Sequence, residues 1–207
     1  SGSGNGNDGD VITLTLDPSE TVGTPTCTWT DGSGAMEDTS VEYATTGVDS
    51  HTAKVTVHND DQDGAVGFSC TYSDSAGNAI ASAITDLSSG SAITIDNTHP
   101  TSTTAVLSVN GDGNGNDGDV VTMTLNPSET VGTPTCTFTD TSGAMADTSV
   151  EYDETGDDSW TASVTVADGD DDGEVGFSCT YSDLAGNAIG AAITTASSGD
   201  IDIDNTH

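Results

Sequence analysis

The chain consists of two copies of one sequence. Residues 5–90 align without a gap with residues 114–199, and 65 of these 86 positions are identical. A repeat of this length exceeds the roughly 20–50 residues of solenoid units and matches the size of a whole domain. The sequence therefore predicts two tandem domains, one over residues 1–99 and one over residues 100–207.

Within each copy, apolar and polar residues alternate in several short runs, which is the pattern of half-buried β-strands. In the second copy these runs cover residues 120–125, 133–139, 160–166, 175–181 and 200–203. Residues that favour turns, mainly Gly, Asp, Asn and Ser, separate the runs, and no segment has the apolar period of a helix. Six or seven short strands in about 105 residues are typical of an immunoglobulin-like sandwich. We therefore predict an all-β chain of two tandem immunoglobulin-like antiparallel β-sandwich domains.

The chain is strongly acidic, because Lys54 stands alone against 35 Asp and Glu and the formal net charge is −34. Nucleic acid and anionic membrane surfaces bind through clustered Lys and Arg, so this composition excludes both as partners. No apolar run approaches 18 residues, so no membrane insertion is expected. We expect the charge to be balanced by bound metal ions, by high salt or by a basic partner surface.

The second copy is preceded by residues 100–109, an alternating run that is expected to form its first strand. The first copy has no such run ahead of it. Two interpretations follow. Either the 207 residues are a segment of a longer, exported array, or the first copy takes this strand from a neighbouring chain, as in donor-strand complementation.

Two motifs resemble those of a known family. Residues 181–187 (Tyr-Ser-Asp-Leu-Ala-Gly-Asn), followed by residues 201–206 (Ile-Asp-Ile-Asp-Asn-Thr), resemble the tandem bacterial Ig-like repeats of large calcium-dependent adhesins. The junction at residues 96–100 is similar to the linker between those repeats. The resemblance implies extracellular, cell-surface extender modules, often calcium-bound, that hold a terminal binding domain away from the cell. The cysteine pair in each copy departs from most of those repeats, so a surface fibre from another kind of microbe is the alternative.

Each copy carries two cysteines on the predicted inward face, beside an aromatic residue. Neighbouring strands of a sandwich bring such residues close enough for a disulfide, and an exported chain meets oxidising conditions. The predicted disulfides are Cys27–Cys70 and Cys136–Cys179. Two buried free thiols per copy are the alternative, whereas zinc is disfavoured because no CxxC spacing occurs.

An acidic loop is the first candidate calcium site, because calcium is bound by several carboxylate and carbonyl oxygens. Residues 168–173 match the first half of an EF-hand loop, but the twelfth position is Cys179 instead of Glu, so the loop is not an EF-hand. Solvated turn residues are the alternative interpretation. The predicted ligands shared by the two copies are Asp61, Asp63, Asp170 and Asp172.

The second candidate calcium site is the loop at residues 5–10, which is repeated at residues 114–119. In a sandwich this loop lies near one pole, where it is expected to share an ion with the linker and so fix the angle between domains. Its predicted ligands are Asn7, Asp8, Asp10, Asn116, Asp117, Asp119 and the linker residue Asp96.

No catalytic constellation repeats between the copies. His51 and His58 are replaced by Trp160 and Ala167, as expected of exposed strand positions. The leading hypothesis is therefore a structural extender of an extracellular fibre or adhesin, with further copies of the repeat as partners. A filament subunit that exchanges strands is the first alternative, and a glycan- or ice-binding module is the second. Adaptation to salt is a rival explanation of the charge, and the many Thr and Ser leave O-linked glycans open.

Overall fold

The computed structural model describes residues 4–47, 49–111, 113–156 and 158–206. The chain divides into two compact units, unit 1 (Ser1–Thr98) and unit 2 (His99–His207). The described residues are strands, turns and loops, without a helix. In that part of the chain, therefore, no helix is long and apolar enough to cross a membrane.

Unit 1 contains eight strands in its described residues. They are β1 (Asn5–Gly6), β2 (Val11–Leu16), β3 (Thr26–Thr30), β4 (Glu42–Thr45), β5 (His51–Thr56), β6 (Gly64–Ala65), β7 (Gly67–Thr71) and β8 (Thr94–Ile95). One sheet has the order β2-β5-β4, a second pairs β3 with β7, and a third has the order β1-β8-β6. All pairs are antiparallel except β1 and β8.

Unit 2 repeats this arrangement with two differences: it has an additional strand at one edge, and an isolated bridge between Gly115 and Ile203 takes the place of β1. Its strands are β9 (Ser102–Val109), β10 (Val120–Pro127), β11 (Thr135–Thr139), β12 (Glu151–Gly156), β13 (Ser159–Thr165), β14 (Gly173–Glu174), β15 (Gly176–Thr180) and β16 (Asp202–Ile203). The larger sheet has the order β12-β13-β10-β9, while β11 pairs with β15 and β14 pairs with β16. Strand β9 therefore extends the sheet that stops at β2 in unit 1.

The sheets of each unit contribute to one core. In β10, Val121, Met123 and Leu125 are fully buried, whereas the alternate residues are half-buried. They belong to one apolar cluster with Cys136 and Phe138 of the opposite sheet. The prediction of an all-β, immunoglobulin-like sandwich is confirmed.

The cysteines are directly opposite each other on neighbouring strands of one sheet. Cys136 of β11 pairs in register with Cys179 of β15, their Cα atoms are 4.1 Å apart, and their sulfurs form a disulfide. Cys27 and Cys70 form the equivalent disulfide in unit 1. Both predicted disulfides are therefore confirmed, and they lie in the core, where the four cysteines are at most 5% exposed.

Beside each disulfide, a tyrosine of the opposite sheet forms hydrogen bonds with the backbone N–H and C=O groups of one cysteine. The N–H of Cys136 donates to the hydroxyl of Tyr152 at 2.8 Å, and this hydroxyl in turn lies 3.4 Å from the Cys136 carbonyl oxygen. Tyr43 does the same for Cys27 in unit 1. Among the strands of the described residues, β15 alone pairs with β11, so the tyrosine takes the place of a further strand and links the two sheets by hydrogen bonds.

One expectation about an exposed residue is wrong. His51 is only 7% exposed, because its side chain lies on the same inward face of β5 as those of Ala53 and Val55. The prediction that Trp29 and Phe138 are core residues is confirmed, since they are 6% and 4% exposed.

Candidate functional site

The inner aspartate of each acidic loop is a buried acceptor of backbone hydrogen bonds. We define the acidic loop as residues 58–63 in unit 1 and 167–172 in unit 2. Asp61 is 3% exposed, and its two carboxylate oxygens accept the N–H groups of Glu37 at 2.8 Å and His58 at 2.9 Å. Asp61 therefore ties the acidic loop to a segment 24 residues away. The equivalent residues of unit 2 are Asp170 with Ala146 and Ala167.

The outer aspartate of each acidic loop binds the end of its own unit. One oxygen of Asp63 accepts the N–H of Asn97 at 2.6 Å, and the other accepts the hydroxyl of Thr98. In unit 2, Asp172 binds the next copy of this segment in the same way. The hydroxyl of Thr206, followed by the N–H of Asn205, lowers the pKa of Asp172.

An asparagine completes this contact. The Nδ2 group of Asn97 donates to the carbonyl oxygens of His58 at 2.9 Å and Asp61 at 3.0 Å. The Oδ1 atom of Asn97 is buried and has no hydrogen-bond partner. In unit 2, the Nδ2 group of Asn205 donates to Ala167 and Asp170. Residues 97–98, which the sequence places in a linker, thus belong to the hydrogen-bond network of unit 1.

A third aspartate, which the sequence analysis did not identify, fixes the other side of the acidic loop. In unit 2, one oxygen of Asp140 accepts the N–H groups of Ser142 at 2.8 Å and Gly143 at 2.9 Å. Its other oxygen accepts the N–H of Asp171 at 2.9 Å. Asp31 has the same role in unit 1. The available signal was the Asp-x-Ser-Gly pattern, because Asp at the start of a turn binds backbone N–H groups two and three residues later.

The hydrogen bonds to Asp140 predict an acid-sensitive contribution to stability. The N–H of Asp171, together with the Ser142 and Gly143 donors, outweighs desolvation and lowers the pKa of Asp140 to about 2. A carboxyl group whose folded pKa lies below its unfolded value stabilises the fold above the unfolded pKa, which is about 3.9 for Asp. This stabilisation is lost as the pH falls from about 4 to about 2. We expect the melting temperature of Asp140→Asn to be below that of the parent at pH 7 and to approach it near pH 2.

The measurement is thermal unfolding of both proteins followed by circular dichroism from pH 7 to pH 2. Asp168→Asn is a matched control, because Asp168 is exposed and lies in the same acidic loop. An Asp140→Asn difference that stayed constant over this pH range would exclude the proposed contribution of ionised Asp140.

The second predicted calcium loop is a hydrogen-bonded turn. The N–H of Asp10 donates to the Asn7 carbonyl oxygen at 3.0 Å, and the Asp10 carboxylate accepts the Asn7 N–H at 3.2 Å. Gly9, with φ +85°, provides the left-handed backbone that the turn needs. Asp8 is exposed at the turn. The equivalent residues of unit 2 are Asn116, Asp117, Gly118 and Asp119.

The resemblance motif forms a compact loop around a buried aspartate. Asp183 is 7% exposed and accepts the N–H groups of Gly186 at 2.7 Å and Asn187 at 2.8 Å. Its second oxygen accepts the Asn187 side-chain amide at 2.8 Å. A carboxylate oxygen of Glu129 lies within 4.8 Å of one from Asp183. The Asp-x-Ala-Gly-Asn motif therefore has a structural role, because its conserved spacing places the hydrogen-bond donors of this loop around Asp183.

The predicted ligands are only partly brought together. Asp61 and Asp63 share one acidic loop, and the Asp63 carboxylate binds residues 97–98, directly after Asp96. The N–H of Thr98 is 3.3 Å from the Asp96 carboxylate. Taken within one unit at a time, the described residues hold no three Asp, Glu, His or Cys side chains whose ligand atoms all lie within 4.8 Å of one another. Ligation by the acidic loops would therefore need carbonyl or amide oxygens besides carboxylates.

No protein-family model matches the chain, and no curated protein matches it. Among solved structures, the Escherichia coli adhesin FdeC matches with a TM-score of 0.45 and 13% identity, covering 94% of this chain and 62% of that chain. An I-band fragment of titin matches with a TM-score of 0.45 and 11% identity, covering 97% and 62%. A marsupial T cell receptor matches with a TM-score of 0.48 and 10% identity, covering 98% and 71%. The chain thus spans less than two thirds of the adhesin and titin structures, and these likenesses concern the fold alone.

Proposed function

We propose that the chain is a structural extender segment of an extracellular fibre or adhesin, in which calcium and disulfides rigidify each module. The observation that carries this proposal is the closure of each unit at its C-terminal end. In both units an Asn-Thr segment is hydrogen-bonded into the acidic loop of the same unit. A module under tension must keep its terminal segment attached, and these contacts would have that effect, while a disulfide between neighbouring strands limits how far each unit can extend.

The disulfides support a location outside the cell, where thiols are oxidised. The net charge of −34 keeps a long chain soluble and disfavours association between its acidic surfaces. Further copies of the repeat in the same protein are the expected partners, and the exposed Thr and Ser are available to O-linked glycans.

Calcium fits the residues at the end of unit 1. The Oδ1 atom of Asn97 is a buried acceptor without a donor, and a cation would satisfy it. Asp63, Asp96 and the carbonyl groups of the acidic loop are the other oxygens that this segment offers. The chain has one Lys and no Arg, so basic side chains cannot neutralise its carboxylates. A bound calcium would supply the missing positive charge beside Asp63 and Asp96. The turn at Asn7, Asp8 and Asp10 remains a second proposed site.

Calcium is expected to raise the melting temperature beyond the effect of salt. At 100 times its dissociation constant, one bound ion adds about 2.7 kcal/mol to the free energy of unfolding. For a domain of about 100 residues this corresponds to roughly 10 °C or more. The measurement is thermal unfolding in excess calcium, in chelator, and in chelator with 1 M sodium chloride.

A matched pair of variants tests the site in unit 1. Asp63→Asn is expected to reduce the calcium response, whereas Asp60→Asn removes the same charge from an exposed position and is expected to keep it. Equal rescue of the parent chain by sodium chloride would mean that the acids are screened non-specifically, which favours salt adaptation over calcium sites.

Mechanical unfolding tests the extender role itself. The chain is stretched between two handles. While each disulfide is intact, the segment between its cysteines, which are 43 residues apart in sequence, does not extend. Reduction is expected to add about 150 Å of contour length per unit, at about 3.5 Å per extended residue. We expect each unit to unfold at higher force in calcium than in chelator. Unfolding at negligible force under both conditions would contradict a mechanical extender function.

A further inference from the structure

A cavity opens on the surface of unit 2, where β9, β14, β15 and residues 194–200 meet. It has a volume of about 160 Å³. Its floor is apolar, because Leu107 and Val175 line it and are each only 4% exposed, and Phe177 forms part of the wall. Two exposed acids, Glu174 and Asp200, also line it. The cavity therefore combines an apolar floor with an acidic rim.

A small residue contributes to the depth of this cavity. Ala196 lines it, whereas the sequence alignment places Leu87 at this position in the first copy. The shorter side chain of Ala196 leaves apolar volume unfilled beside Leu107. Close-packed interiors contain few such voids, so apolar space that opens to solvent is available to a ligand.

The acids around the cavity are not required by the fold. Glu174 of β14 lies directly opposite Asp202 of β16, and like charges in this arrangement destabilise a sheet. The first copy forms the same strand pair without either acid, with Ala65 opposite Thr94. No acid of the first copy aligns with Asp200 either. The second copy thus carries three additional carboxylates at or next to the cavity, and their role lies outside the stability of the module.

These carboxylates also differ from those of the acidic loop. Asp140 and Asp170 accept backbone N–H groups of their own unit. In the part of the chain that the structure describes, by contrast, no group donates a hydrogen bond to the carboxylate of Glu174 or Asp200. Both acids are therefore available to a cation that enters the cavity.

The size and chemistry of the cavity match a long cationic side chain. Its volume corresponds to about five water-sized groups at about 30 Å³ each, which is about the size of a Lys side chain. A Lys side chain packs its methylene groups against apolar surface and keeps its charge at the edge. Drug-sized ligands occupy pockets of about 300 Å³ or more, and calcium requires a shell of oxygen ligands that an apolar floor does not offer.

We propose that this cavity binds a Lys side chain of a basic partner polypeptide. The methylene groups lie against Leu107 and Val175, and the ammonium group lies between Glu174 and Asp200. The partner is a different protein and not a second copy of this chain, because Lys54 is the only Lys of the chain and lies within β5. The net charge of −34 accelerates the approach of such a partner. The site goes beyond the extender role and depends neither on calcium nor on tension.

The probe is the peptide acetyl-Gly-Ser-Lys-Ser-Gly-amide, added to the oxidised 207-residue chain at an ionic strength of about 0.15 M. Two-dimensional NMR spectra of the labelled chain are recorded during the titration. We expect saturable shifts of the amides of Val175, Phe177 and Ala196. Replacing the Lys of the peptide by 2,4-diaminobutyric acid keeps the charge but removes two methylene groups, and is expected to weaken binding about tenfold or more. Norleucine keeps the apolar stem without the charge and is also expected to bind more weakly.

Variants of the chain separate the cavity from general attraction between opposite charges. Ala196→Leu fills the cavity without changing any charge and is expected to lower the affinity for the Lys peptide about tenfold or more. Glu174→Gln with Asp200→Asn is expected to have an effect of similar size. The control is Glu151→Gln with Glu154→Gln, which removes the same charge from exposed positions of β12 and is expected to change the affinity less than about twofold.

Several results would overturn the proposal. Unsaturable or absent shifts in the cavity would exclude a site, and full binding to Ala196→Leu would show that charge alone attracts the peptide. Equal losses in the two double variants would indicate the same. Calcium that shifts the same amides and displaces the peptide would identify a metal site instead. Binding of 1,5-diaminopentane about tenfold or more tightly than the peptide would identify a small polyamine as the ligand.

Discussion

Replacing Cys136 and Cys179 together by alanine is expected to lower the free energy of unfolding of unit 2 by about 4 kcal/mol. The disulfide closes a loop of 43 residues, and the chain-entropy estimate for a loop of that length gives this value at 25 °C. Small domains are stable by only about 5–15 kcal/mol, so the loss is a large share of the total. The measurement is urea denaturation of parent and variant, with near-ultraviolet circular dichroism or tryptophan fluorescence as the signal.

The two-copy chain provides an internal control for the disulfide. Cys27→Ala with Cys70→Ala is expected to destabilise unit 1 by a similar amount, because its loop has the same length. Trp29 and Trp160 lie in different units, so single-tryptophan versions report on each unit separately. A loss below about 1 kcal/mol in both units would show that the reduced chains remain compact and that loop closure is not the source of stability.

Most of the strands were predictable because their pattern is local. Apolar and polar residues alternate along strands β10, β13 and β15, and the fully buried positions of each strand lie on its apolar face. Strand β12 was not predicted, since Glu151–Gly156 is acidic and exposed and carries no apolar alternation. It lies at the edge of its sheet, where charged residues prevent pairing with other chains, so its sequence reflects that position and not a buried face.

The acidic loops were located correctly, but their internal contacts were not predictable. The partners of Asp61 are Glu37 and His58, and the partners of Asp63 lie 34 and 35 residues later at Asn97 and Thr98. Such contacts depend on which loops the sandwich brings to one pole, and residue spacing does not encode this. Whether calcium also binds there stays a prediction.

These contacts explain how a chain with so many carboxylates folds with few cations. Asp31, Asp61 and Asp63 accept backbone N–H groups, which satisfy their carboxylate oxygens without a basic side chain. Each of these acids has an identical residue in unit 2. Part of the acidity is therefore structural, and only the remaining exposed acids require screening or metal ions.

Asp170→Ala is expected to lower the free energy of unfolding of unit 2 by about 3–5 kcal/mol. Asp170 is 4% exposed, and its carboxylate accepts the N–H groups of Ala146 at 2.6 Å and Ala167 at 2.9 Å. Hydrogen bonds to a charged group contribute about 1.5–3 kcal/mol each, and the substitution leaves both buried donors without an acceptor. Urea denaturation measures the effect, and exchange of the Ala146 and Ala167 amides is expected to accelerate.

The neighbouring exposed Asp171 provides the matched control for this substitution. Asp171→Ala removes the same charge while its N–H still binds Asp140, and a change within about 0.5 kcal/mol is expected. The pair also decides between two roles for Asp170. If Asp170→Ala unfolds no more easily than Asp171→Ala in chelator but loses the response to calcium, Asp170 acts as a metal ligand. If it is destabilised equally with and without calcium, its function is to accept the two backbone donors, and calcium binds elsewhere in the module.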